Sequence, residues 1–191
     1  IGLGVDVVMH SATKFIGGHS DLIAGVLITN DSKLAEKLYF IQKSGGAVLS
    51  PFDSWMLLRS TKTLALRFQR HSDNAMAIAK TLQGFSKVNS VVYPGLPSHN
   101  QYDLATKQQK NPIGESIYGS MISFECQTKK MRDVFLEKIE LFTLAESLGG
   151  VESLVCVPYE MTHVSVPTEV KESMGLSSNL IRLSVGVEYL D

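Results

Sequence analysis

The chain has 191 residues, 44% of them hydrophobic, and a formal net charge of -1. That is enough for one ordinary core or the parts of two, and the near-zero charge argues against a nucleic-acid or anionic-membrane surface, which needs a basic excess. The sequence has no run of about 18 apolar residues, the length a helix needs to span a bilayer, and no zinc-type spacing is present.

The elements are expected as follows. Val5, Val7 and Val8 suit a buried strand, and a second strand is expected from Ala24 to Thr29. Ser32 is a plausible N-cap for an amphipathic helix carrying Leu34, Leu38 and Ile41, which Gly45-Gly46 ends. Pro51 and Asp53 open a helical pattern that runs to about Gln83, as one long helix or as two with a break near His71-Ser72-Asp73. Its basic residues Arg59, Lys62, Arg67 and Arg70 read as a solvated face rather than a phosphate site. Strands are then expected at Val88–Tyr93, Met121–Phe124, Leu154–Val157 and Ile181–Val185. Residues 99–116 form a polar surface connection with one helical turn. Thr128 starts a helix with Met131, Val134, Phe135 and Ile139 facing inward, and Pro167 and Gly175 bracket a short helix. This alternation indicates an α/β fold with a second layered α/β unit. Cys126 and Cys156 lie inside apolar runs and are expected as buried small hydrophobes without a disulfide, in a reducing cytosol. Ile1-Gly2-Leu3-Gly4 opens straight into a strand pattern, so the chain is expected to be the C-terminal part of a longer protein.

Three stretches carry chemistry. The first strand leads into Ser11, Thr13 and Lys14, followed by Gly17-Gly18, where the backbone turns tightly or approaches something closely. Two hydroxyls and an amine there can hold a phosphorylated carbonyl compound, through hydrogen bonds to phosphate and an imine; the bland alternative is a solvated surface turn. Glu146 and Ser147 stand beside the Gly149-Gly150 turn. Arg182 lies in the middle of an apolar strand, where a charge is costly unless paired or facing a pocket. Either it pairs with Glu188 or Glu152, or it is a fork for a substrate carboxylate.

His10-Ser11-Ala12-Thr13-Lys14-Phe15-Ile16-Gly17-Gly18-His19-Ser20-Asp21 resembles the lysine segment of the Cys/Met-metabolism family of pyridoxal-phosphate (PLP) enzymes, which contains the cystathionine γ-synthases, β-lyases and γ-lyases and methionine γ-lyase. The stretches LAESLGGVESL and LIRLSVGVE resemble its two C-terminal signatures, with Thr162 and His163 shaping the loop between them. The stretch from Leu38 to Pro97 is most similar to the γ-lyases. Departures are Ser60 in place of the usual glycine, Tyr159-Glu160 before Met161, and a longer segment from Lys110 to Ser120; the last two could reshape substrate selection.

The resemblance implies a PLP-dependent transferase-like fold (fold type I): the end of the large PLP domain over 1–62 and the smaller C-terminal α/β domain over 63–191, joined by a long helix. It implies PLP bound to Lys14, with Ser11 and Thr13 on the phosphate. Arg182 would clamp the substrate α-carboxylate, supported by Ser147, and Glu146 would stand where γ-lyases and γ-synthases carry a glutamate. The implied activity is γ-elimination of L-cystathionine to L-cysteine, 2-oxobutyrate and ammonia, in a cytoplasmic homotetramer with shared active sites. The alternatives are γ-synthase, β-lyase and a non-catalytic α/β interaction module. The family's remaining site residues lie upstream of the lysine segment, so the fragment alone is expected to be inactive.

Overall fold

A computed structural model describes residues 1–190 and divides the chain into two compact units, Ile1–Leu64 and Ala65–Asp191. In the first, β1 (Val8–Ser11) and β2 (Gly25–Ile28) form an antiparallel pair with Ser11 opposite Gly25 and Val8 opposite Ile28. The strand starts at Val8 rather than Val5, because β2 ends opposite Val8 and leaves the earlier valines without a strand partner. Ala12, Leu22 and Ala24 are buried between the strands and the following helices, with Ile16, Val26, Leu49, Met56 and Leu57 against them.

Helix α1 (Ser32–Gly45) is capped by Asp31 rather than Ser32: its carboxylate accepts from the amides of Lys33 and Leu34 at 2.8 and 3.1 Å. Gly46, at φ 70°, closes it in the left-handed conformation. Helix α2 (Pro51–Thr61) has Ser50 as its N-cap and proline in its first turn.

Helix α3 (Leu64–Gln83) is separate from α2, so the expected long helix is two, broken at Lys62–Thr63 and not at 71–73. At the break the bonds tighten to i→i+3: the Lys62 amide donates to Arg59 O, and the Thr63 amide and hydroxyl both donate to Ser60 O. Residues 71–73 stay helical because the side chains of His71 and Ser72 find tertiary partners and that of Asp73 a partner one turn back on the same helix. The His71 ring bonds Val185 O at 2.7 Å, the Ser72 hydroxyl accepts from the Tyr118 amide, and Asp73 accepts from Gln69.

The second unit continues with β3 (Val88–Val92), α4 (Tyr102–Gln108), β4 (Met121–Cys126), α5 (Lys129–Lys138), β5 (Thr143–Leu144), β6 (Leu154–Cys156), α6 (Thr168–Ser173) and β7 (Leu180–Ser184). The connection over 99–116 thus holds a seven-residue helix, longer than one turn, and β5 is a strand that the sequence pattern did not indicate. The sheet order is β3-β4-β7-β6-β5, antiparallel except for the β5–β6 pair.

The pleat sorts this sheet into two faces. Ile122, Phe124, Val155, Ile181 and Leu183 point to the same side and pack against Ala75, Ala79 and Leu82 of α3. The Phe135 ring of α5 meets Phe124 edge-on at 5.5 Å. Each such side chain, fully buried, contributes about 1.5–3 kcal/mol. On α5, Leu136 packs inward in place of Val134, which is exposed. Arg67 is buried, so it does not belong to the solvated face that the basic residues of this region suggest, whereas Arg59, Lys62 and Arg70 are exposed.

Candidate functional site

Lys14 lies just past the end of β1, in a turn held by its own backbone. The Gly17 amide donates to Ala12 O at 2.8 Å and the Gly18 amide to Lys14 O at 2.7 Å. A Cβ at Gly17 would sit 2.8 Å from Ala12 O, so only glycine lets this turn close. The Thr13 hydroxyl accepts from the Ala24 amide at 2.9 Å and directs its proton to Ala24 O at 3.3 Å, stitching the lysine turn to the start of β2. Ser11 is exposed at the strand end, and Lys14 is partly buried. Ser20 has φ 55°, a left-handed backbone at a non-glycine residue, on the same loop.

The second group is in the sheet unit. Arg182 sits between Ser123 of β4 and Cys156 of β6, directly opposite both. Opposed residues share a face, so Arg182 points away from the core that Ile181 and Leu183 fill. Period-two alternation in Ile181-Arg182-Leu183 carried this information in the sequence. Its Nη2 donates to Glu146 O at 3.0 Å. Of the two acid partners considered for Arg182, Glu188 instead takes the amide and hydroxyl of Ser153 at 2.6 and 2.9 Å.

Glu146 is thereby brought to Arg182 through its carbonyl, and Ser147 follows it in the chain, partly buried. The Cys156 thiol is buried opposite Arg182; burial pushes it up while the guanidinium opposes that shift. Cys126 is buried on the core side, where burial pushes its thiol up too, and both cysteines are free.

The loop after β6 carries one of the departures, Tyr159-Glu160. Glu160 is drawn away into an ion cluster with Lys129 at 2.9 Å and the buried Arg132 at 3.1 Å. The hydrogen bond from Lys129, with the contribution of Arg132, holds the Glu160 carboxyl below the ordinary range. Tyr159 offers its carbonyl to Lys171 Nζ at 3.1 Å, and the same ammonium lies 4.5 Å from the Tyr159 ring centre. Thr162 and His163 hydrogen-bond to each other at 2.8 Å.

Two residues to which the sequence assigned no role, Ser153 and Ser184, both almost fully buried, tie the arginine site together with Glu188, which was expected only as an ion-pair partner of Arg182. A surface cleft of about 530 Å³ in the first unit is lined by Ile23, Gly25, Gln42, Val48 and Ser54 among others, and holds none of the candidate residues. Among the described residues, no cluster of three His, Cys, Asp or Glu could hold a metal ion, and no helix is long and apolar enough to cross a membrane.

The family model for the Cys/Met metabolism PLP-dependent enzymes matches residues 1–191. The cystathionine beta-lyase of Lactococcus lactis subsp. cremoris (strain MG1363) is 51% identical over 191 residues, covering 100% of this chain and 49% of the relative. The cystathionine gamma-lyase of Dictyostelium discoideum is 51% identical over 192 residues, covering 100% of this chain and 48% of its own. Among solved structures, the cystathionine gamma synthase of Xanthomonas oryzae pv. oryzae in complex with aminoacrylate and cysteine superposes with a TM-score of 0.91 at 40% identity, over 98% of this chain and 47% of that one. The chain thus spans about half the length of the relatives it matches. Its α/β architecture is that of fold type I. The chain belongs to the Cys/Met-metabolism family of PLP-dependent enzymes.

Proposed function

We propose that the protein containing this chain is a PLP-dependent carbon–sulfur lyase of sulfur amino-acid metabolism, which γ-eliminates L-cystathionine to L-cysteine, 2-oxobutyrate and ammonia. The observation that carries this reading is the Lys14 turn: an amine on a backbone locked by Gly17, with the Ser11 hydroxyl exposed beside it. That donor set fits a phosphorylated aldehyde, which needs an amine for the carbonyl and hydroxyl donors for the phosphate. Ser11 would hold the phosphate and Lys14 the aldehyde; Thr13 fixes the turn and would join Ser11 on the phosphate by turning its proton from Ala24 O. When bound, PLP supplies an electron sink for the charge released as a substrate proton leaves Cα.

The chain's own residues do the rest. Lys14 Nζ serves as the general base for the Cα proton. Arg182 binds the α-carboxylate, and Ser147 supports that contact. A fixed carboxylate leaves one rotation about the Cα–N bond and selects the Cα–H bond for cleavage. Glu146 favours γ-chemistry over β-chemistry, as does the stretch from Leu38 to Pro97. β-Elimination to homocysteine and pyruvate is the second reading, supported by 51% identity to the Lactococcus enzyme; γ-replacement on an acylhomoserine is the third, and a non-catalytic interaction module the last.

We further assign residues 1–62 to the PLP domain and 63–191 to the C-terminal domain of a cytoplasmic homotetramer with shared sites. In the full-length protein, borohydride is expected to trap reduced cofactor on Lys14, and Lys14→Ala to abolish both the adduct and turnover. Full turnover in that variant overturns the assignment. Products from cystathionine, with and without an acylhomoserine and cysteine, separate the three reactions.

A further inference from the structure

We propose that Glu188 is a positioning residue for the carboxylate-binding site, acting through Ser153 on the strand that presents Glu146 to Arg182. This rests on the reading of Arg182 given above. The Glu188 carboxylate accepts from the Ser153 amide at 2.6 Å and from its hydroxyl at 2.9 Å. The Ser153 Oγ in turn accepts from the Gly186 amide at 2.8 Å. Ser153 thus spends its amide and both roles of its hydroxyl on the segment following β7.

The other end of the same turn is fastened the same way. The Gly149 amide donates to Ser184 Oγ at 2.8 Å, and the Val187 amide to Val151 O at 2.9 Å. Glu188 is itself fixed, because Asn74 Nδ2 donates to its carbonyl at 2.7 Å and to Gly186 O at 3.1 Å.

From Ser153 the restraint reaches the site by backbone bonds alone. Ser153 O accepts from the Thr143 amide at 3.0 Å, and the Ala145 amide donates to Val155 O at 2.9 Å. The next residue is Glu146, whose carbonyl receives Arg182 Nη2. A carboxylate that accepts an amide and a hydroxyl makes charge-assisted bonds, about twice as strong as neutral ones. Its removal leaves the buried Ser153 amide unsatisfied. The turn then loses its fixed height over β7, and with it the carbonyl that orients the guanidinium. Misplacement by a fraction of an ångström at such a contact is enough to weaken recognition of a carboxylate.

The test uses the full-length protein loaded with PLP and two small amines, glycine and methylamine, titrated by absorbance. Both present an amine to the cofactor; only glycine carries an α-carboxylate. Glu188→Ala is expected to weaken glycine about tenfold while leaving methylamine unchanged. Ser153→Ala, which keeps the carboxylate but removes one of its partners, is expected to show a smaller effect of the same kind and serves if the first variant does not fold. Unchanged glycine affinity in the folded variants, or equal losses for both amines, overturns the proposal. Arg182→Ala separates the two levels. If it spares glycine, the reading of Arg182 fails and the role of Glu188 fails with it; if it weakens glycine while the Glu188 and Ser153 variants do not, the role of Glu188 alone fails.

Discussion

A Cβ at Gly186 would overlap the Val151 carbonyl oxygen and the Glu188 carboxylate. Backbone on one side and a fixed carboxylate on the other leave little room to yield, so Gly186→Ala is expected to lower stability by roughly 2–3 kcal/mol. The midpoint of chemical denaturation of the full-length protein checks this, and an unchanged midpoint would mean that the turn opens freely. At this scale the sequence shows which residue types are present but not who their partners are. Arg67 and Arg132 look like ordinary surface cations in their helices, yet both are buried. Arg132 is compensated there by Asp133, Glu160 and the Ser178 carbonyl, groups that lie up to 46 residues away. Arg182 was recognisable as unusual, but its partner, a backbone carbonyl of Glu146, has no sequence signature.

Between elements, the clearest tie outside the core joins α5 to the loop after β6. Thr128 caps α5 through its hydroxyl, and Lys129 and Arg132 on the first turns hold Glu160. Because the folded carboxyl lies below its ordinary value of 4.5, the contribution of Glu160 to stability is complete above that pH and is lost as pH falls through the lower folded value. Glu160→Gln is therefore expected to flatten the acid limb of the stability profile below pH 4.5 and to leave its slope at neutral pH unchanged; thermal melts across that range measure it. An acid limb identical to that of the parent would show that the cluster adds nothing. Caps and turn residues placed most elements within a residue or two, since they act locally. The break between α2 and α3 was misplaced because two threonine hydroxyls and a tightened turn, not the polar run at 71–73, end the helix.

For the molecule as a whole, the two units differ in how much they bury. No residue of α1 is buried, and Tyr39, Phe40, Ile41, Phe52 and Trp55 are exposed in the first unit. An amphipathic helix with an uncovered apolar stripe has little tertiary stabilisation of its own. The isolated 191-residue chain is accordingly expected to bind a hydrophobic dye strongly and to show no cystathionine cleavage with added PLP, whereas the full-length protein is expected to show the reverse. Cleavage by the isolated chain at the rate of the whole protein would contradict the reading of this chain as part of a site.

The sequence by itself determined the local chemistry: the Ser11–Lys14 turn with its glycine pair, the glycine stop of α1 and the threonine start of α5, the α/β alternation and the family signatures. These depend on residues within a few positions of one another, where propensity and hydrogen-bonding geometry act directly. Only the tertiary structure decided what holds Arg182 and why Ser153 and Glu188 matter. Strand order and register bring Glu146, Cys156 and Arg182 together across up to 36 residues of chain. Such pairings are fixed by burial of a whole sheet face, a property that no short stretch of sequence contains.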